Sequence, residues 1–170
     1  MLTIRKAELQ DVPGLHRLIN HYAAERLLLP RTLTDLYENV WAFTVAEENG
    51  KLLGCGALKF YGQGLAEVRS LCVDTALRSN GVGRKIAQSL LEEAERFGLK
   101  TVFALTASPG FFEKLGFREV PRENFPAKVW QDCLHCELYT ACNERAVALE
   151  LVSRRTPEEE SAHETAGVSS

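Results

Sequence analysis

The chain lacks the signals that would send it into a membrane, out of the cell or onto nucleic acid. No apolar run approaches the roughly 20 residues needed to cross a bilayer. The opening Met1-Leu2-Thr3-Ile4-Arg5-Lys6 has none of the apolar stretch of an export signal. Lysines and arginines are scattered, never gathered in a run interleaved with aromatics, and the formal net charge is −3 over 170 residues. General electrostatic attraction for nucleic acid or an anionic bilayer is therefore not expected. Cysteine does not pair up: five is an odd count, and Cys55 and Cys72 fall inside apolar, strand-like runs, as small reduced core residues do. Without export a disulfide framework is not expected, and the chain reads as cytoplasmic. There is no internal repeat, and nothing fixes the oligomeric state; a homodimer stays open.

The apolar fraction of 45% and charged fraction of 25% are those of an ordinary globular domain. One domain is expected over residues 1–152. From Ser153 the composition turns polar, with Glu158-Glu159-Glu160 and small residues, so 153–170 is expected to be a disordered tail. Residues 2–5 read as an opening strand. Asp11 is the expected N-cap, with Pro13 in the first turn, of a helix to about Ala24 whose apolar positions Val12, Leu15, Leu18, Ile19 and Tyr22 keep helical spacing. Thr34 is the expected cap of a short helix through Val40. Asn49-Gly50 is a strong turn signal between strands at 43–46 and 52–60. Later strands are expected at 101–105, 117–120 and 145–152, with a short helix opened by Pro109 and ended by Gly116.

The most informative stretch is Ala66-Glu67-Val68-Arg69-Ser70-Leu71-Cys72-Val73, followed by Arg78-Ser79-Asn80-Gly81-Val82-Gly83. It reads as a strand over 65–73, a glycine turn, and a helix from Val82 with the stripe Val82, Ile86, Leu90, Ala94 and Phe97. Apolar parity changes within the strand: Ala66 and Val68 share one phase, Leu71 and Val73 the other. A β-bulge produces such a shift; a strand buried on both faces is the alternative. A helix N-terminus carries unpaired N–H groups and partial positive charge, which suits a phosphate. Gly81 and Gly83 let the backbone approach an anion closely, although a tight strand-to-helix connection that binds nothing needs the same glycines. Glu67 and Arg69, two apart, lie on one face of the strand. They form either a base with a cation or a plain surface ion pair.

This order of elements resembles the GNAT superfamily of acyl-CoA-dependent N-acetyltransferases. Arg78-Ser79-Asn80-Gly81-Val82-Gly83 matches that family's Gln/Arg-x-x-Gly-x-Gly/Ala pyrophosphate pattern. Phe111-Phe112-Glu113-Lys114-Leu115-Gly116-Phe117 resembles its Phe-Tyr-x-Lys-x-Gly-Phe segment. Leu29-Pro30-Arg31-Thr32, Glu67-Val68-Arg69-Ser70-Leu71 and Lys128-Val129-Trp130-Gln131-Asp132-Cys133 look more narrowly like short, stand-alone N-acetylglutamate synthases. The resemblance implies an α/β (α+β) GNAT fold: a mixed, mostly antiparallel sheet with a splayed, bulged strand, flanked by helices. It implies acetyl-CoA as co-substrate, its pantetheine arm pairing with the backbone of Leu71, Cys72 and Val73. The pyrophosphate would then rest on Arg78, Ser79, Asn80, Gly81, Val82, Gly83 and Arg84.

Acetylation of an amine that is protonated near neutral pH needs a base. Glu67 matches the position of the family's glutamate base. Burial would raise its affinity for a proton and Arg69 would lower it; a substrate carboxylate on Arg69 would offset the latter. By resemblance the Leu71 N–H stabilises the thioester oxyanion, and Arg31 and Lys128 are candidates for the second carboxylate of glutamate, with ordinary exposed cations as the alternative. Where many relatives carry a tyrosine that protonates the leaving thiolate, this chain has Phe112. Thr106 or Ser108 orienting a water, or unaided departure of the thiolate, are the options left. Cys133, His135, Cys136 and Cys142 have incomplete zinc spacing, and reduced packing thiols are preferred to a metal. Competing readings are acetylation of another small amine or a protein N-terminus, and a non-catalytic acetyl-CoA-binding regulatory module.

Overall fold

Local turn chemistry organises the first half of the chain. Asn49 and Gly50 both take positive φ, 53° and 78°, as a two-residue hairpin between right-twisted strands requires. They join β2 (Phe43–Glu48) to β3 (Lys51–Phe60). The computed structural model describes residues 1–24, 30–62, 64–75, 80–125 and 145–151. In chain order the remaining elements are β1 (Thr3–Lys6), α1 (Val12–Ala24), α2 (Leu33–Glu38), β4 (Leu65–Val73), α3 (Val82–Arg96), β5 (Thr101–Thr106), α4 (Pro109–Glu113), β6 (Arg118–Glu119) and β7 (Arg145–Glu150). The expected tail at 153–170 lies outside the described residues.

Among the described residues the strands form one mixed sheet of seven, in the order β1-β2-β3-β4-β5-β7-β6. β4 pairs with β5 in parallel, and the other neighbours are antiparallel. Helices cover both faces. On one side α3 buries Val82, Ile86, Leu90, Leu91 and Ala94 against Leu58, Ala66, Val68, Val102, Ala104 and Val147. On the other, α1 buries Val12, Leu15, Ile19 and Tyr22 against Phe43, Val45, Cys55, Ala57 and Cys72. Each such aliphatic side chain contributes about 1.5–3 kcal/mol when fully buried. Two glycines of β3 set how closely α3 approaches. A Cβ on Gly54 would lie 2.9 Å from Ile86 Cδ1, and one on Gly56 would meet Leu71 and Leu90 at 3.0 Å.

The parity change in β4 is a bulge. Cys55 pairs with Cys72 and Ala57 with Arg69, so Ser70 and Leu71 together face Gly56, and Ser70 takes φ 53°. The extra residue lets Ala66, Val68, Leu71 and Val73 all face α3, leaving Glu67 and Arg69 on the α1 side.

Two helix starts differ from the sequence expectation. The chain reaches α1 through a 3-10 turn, Leu9–Asp11, and the Asp11 carboxylate accepts from the Glu8 backbone N–H at 2.7 Å and from Arg5. Asp11 therefore anchors that turn to β1 instead of capping α1. Thr32, not Thr34, caps α2, its hydroxyl accepting from the Asp35 N–H at 3.1 Å. Thr32 is extended while Thr34 is already inside the helix, and only an extended residue can turn its side chain back onto the first helical amides.

Candidate active site

β4 and β5 pair only at Leu65–Thr101, Ala66–Val102 and Glu67–Phe103. Beyond Glu67 they part, while β5 stays paired with β7 through Thr106. Just past β4 the Asp74 N–H donates to the Leu53 carbonyl at 2.7 Å, so antiparallel alternation turns the peptide groups of Leu71 and Val73 away from β3, toward the gap. The Val73 carbonyl accepts from the Tyr22 hydroxyl. The result is a length of strand edge in the middle of a sheet.

Glu67 is the last residue of β4 before the gap, and it is buried. The Tyr61 hydroxyl donates to its Oε1 at 3.0 Å, and Arg69 Nε lies 3.5 Å from the same oxygen. Across the bulge stands a second ion pair. Arg31 Nε and Nη2 donate to the two carboxylate oxygens of Asp35 at 2.6 and 3.1 Å, and Nη1 reaches Ser70 Oγ at 3.4 Å. The guanidinium also sits over the Phe43 ring, 5.0 Å from its centroid. Hydrogen bonding from Arg31 holds the Asp35 carboxyl below its ordinary range against the opposing effect of burial, and the charges of Arg31 and Arg69 add to it. Arg31 is thus a paired, oriented guanidinium whose hydrogen-bond partners are Asp35 and the bulge.

At the far end of the gap, Gly81 takes φ 74° as the residue before α3, and its carbonyl accepts from the Lys85 N–H. A β-carbon there would meet nothing within 4 Å, so the demand for glycine is conformational. Gly83 packs closely: a Cβ would come within 3.3 Å of the Val73 side chain and 3.6 Å of the Phe111 ring. Val82 is buried and pins the first turn, while Asn80 and Arg84 are exposed. Arg78 and Ser79 lie outside the described residues, as do Lys128 and the group of Cys133, His135, Cys136 and Cys142.

Phe112 is buried, edge-to-face with both Phe111 and Phe117 at 5.1 Å. It belongs to the core beneath α3. The Thr106 hydroxyl accepts from the Ser108 N–H at 2.9 Å. Cys55 and Cys72 are buried and reduced, with sulfurs 3.6 Å apart, and the Cys55 thiol donates to the Ser70 carbonyl. The contact with Cys72, together with burial, pushes the Cys55 thiol up.

Sequence reasoning missed Tyr61 and Asp35. The signal for Asp35 is its i,i+4 spacing from Arg31. For Tyr61 it is the shortness of the 61–64 connection, which brings a residue just after β3 back beside the start of β4.

Residues 14–117 match the acetyltransferase (GNAT) family. An uncharacterised N-acetyltransferase of Chlorobaculum tepidum is 37% identical over 85% of this chain and 93% of its own length. An amino-acid acetyltransferase of Mycobacterium tuberculosis is 38% identical over 76% of this chain and 75% of its own. Among solved structures, the N-acetylglutamate synthase of Neisseria gonorrhoeae complexed with coenzyme A and N-acetyl-glutamate superposes with a TM-score of 0.80 at 25% identity. That match covers 89% of this chain and 35% of the synthase.

Proposed function

The chain belongs to the acetyltransferase (GNAT) family, and from that premise we propose that it is an amino-acid N-acetyltransferase. It transfers acetyl from acetyl-CoA to the amino group of L-glutamate, the opening step of arginine biosynthesis. The observation that carries this reading is the buried Glu67 carboxylate, ion-paired to Arg69, at the point where β4 and β5 part. The amino-acid acetyltransferase relative supports an amino-acid acceptor, and the gonococcal synthase, complexed with N-acetyl-glutamate, supports glutamate.

The pantetheine arm of acetyl-CoA lies along the exposed edge of β4, at Leu71, Cys72 and Val73, with its pyrophosphate over Arg78, Ser79, Asn80, Gly81, Val82, Gly83 and Arg84. Partial positive charge at the start of α3 favours the phosphates. Arg69, Arg31 and Lys128 hold the two carboxylates of glutamate; an arginine fork suits a planar carboxylate. Glu67 takes one proton from the substrate ammonium. The freed nitrogen attacks the thioester carbon, and the oxygen that becomes negative meets the Leu71 N–H. Collapse breaks the C–S bond and expels the CoA thiolate, and the nitrogen sheds its second proton, which passes through solvent to the departing thiolate. A thiol pKa near 8.5 makes the thiolate a tolerable leaving group, consistent with an aromatic core role for Phe112.

Thiol release from acetyl-CoA, measured against a panel of amino acids, amines and an N-terminal peptide, tests the assignment. Glutamate should give the highest kcat/KM. Glu67→Gln should lower kcat by about 10²–10⁴-fold. Binding of CoA without turnover on any amine would instead favour the regulatory module.

A further inference from the structure

Tyr61 has no place in the scheme above, yet its ring is closely held. Its backbone N–H donates to the Leu65 carbonyl at 2.9 Å, fixing it at the connection from β3 to β4. The ring is tilted against Phe103 at 5.8 Å, and Phe103 stacks on Phe125 at 4.3 Å. Lys59 Nζ lies 5.0 Å from the Tyr61 ring centroid. A buried phenol needs a polar partner, and the hydroxyl finds it in Glu67 Oε1.

Resting on the reading of Glu67 as the base, we propose that Tyr61 is its positioning residue: the hydroxyl fixes the Glu67 carboxylate toward the gap between β4 and β5. Apolar packing alone would be served equally by phenylalanine, whose ring fills the same space. The added oxygen touches a carboxylate at the mouth of the cofactor gap, a place where orientation of a base sets its efficiency. Glu67 has Arg69 on its own strand, Lys59 as its register partner on β3, and Phe103 as its neighbour on β5. Arg69 in turn acts electrostatically on Asp35 of α2. Lys59 Nζ lies over the same tyrosine ring, so the phenol has a cation against its face and the Glu67 carboxylate at its hydroxyl.

The test is Tyr61→Phe, which keeps the ring and removes the donor. A donor that stabilises the charged carboxylate lowers its affinity for a proton, so its loss should move the Glu67 titration to higher pH by about one pH unit. Carbon-13 NMR of labelled glutamate carboxyls, assigned with Glu67→Gln, reads this in the cofactor-free protein. The acidic limb of kcat/KM for glutamate should move the same way. Plateau kcat should fall about tenfold, with KM for acetyl-CoA unchanged. In a Glu67→Gln background, Tyr61→Phe should cost nothing further. An unmoved titration and limb in an active enzyme overturn this proposal alone. A shifted titration with no amine acetylated by either protein overturns the reading of Glu67 as base, and the positioning role with it.

Discussion

Four charges of alternating sign, Arg31, Asp35, Arg69 and Glu67, run from the segment before α2 to the centre of the sheet. Asp35 is half-exposed and aligns Arg31 through both carboxylate oxygens. If Arg31 anchors a substrate carboxylate as proposed, Asp35→Ala should raise KM for glutamate about tenfold while leaving KM for acetyl-CoA unchanged, as steady-state kinetics would show; the loss corresponds to about 1.4 kcal/mol of substrate binding. Acid stability is set at the same scale. Asp11, held by Arg5 and the Glu8 amide, and Asp35, held by Arg31, both have carboxyls depressed below the ordinary value of 3.8. A depressed carboxyl contributes stability that is fully present above its unfolded value and lost as pH falls through the folded one. The urea midpoint should accordingly drop as the pH is taken below about 4, and the drop should be smaller in Asp11→Asn.

At the scale of elements, the bulge in β4 depends on the glycine opposite it. Gly56 leaves room for Leu71 to tuck against α3, and a Cβ there would press Leu71, Leu90 and Ile86 at 3.0–3.1 Å. Gly56→Ala should cost about 1–3 kcal/mol by urea denaturation and weaken acetyl-CoA binding through displacement of Leu71. Gly81→Ala fails for a different reason: at φ 74° an L side chain costs about 1–2 kcal/mol even with open space around it. Several features of this half of the chain were legible in the sequence because their causes are local. The Asn49-Gly50 turn, the parity change across Ser70 and the start of α3 at Val82 each follow from residues within a few positions. The capping at Thr32 was misread because two threonines offer the same side chain, and only the backbone around them decides. Tyr61 was invisible for a further reason: its partner is reached by closing a turn between strands, and an aromatic at the end of an apolar strand looks like core.

On the scale of the whole molecule, the sheet is two half-sheets, β1–β4 and β5–β7, stitched by three residue pairs and by the core under α3. Glu67 is one member of the last stitch. Strand edges left open in a sheet's interior are regions of low local stability, and such regions open before the rest. In the proposed binding mode the cofactor would lie along the edge of β4 as an added strand supplied from outside. Its binding free energy becomes folding free energy, about 2.7 kcal/mol at a hundredfold excess over Kd. Hydrogen exchange should find the Leu71 and Val73 amides fast in the free protein and protected with CoA, with a matching rise in Tm. A cell short of acetyl-CoA would therefore hold a less durable enzyme as well as an idle one, and the lifetime of the protein would follow the supply of its substrate.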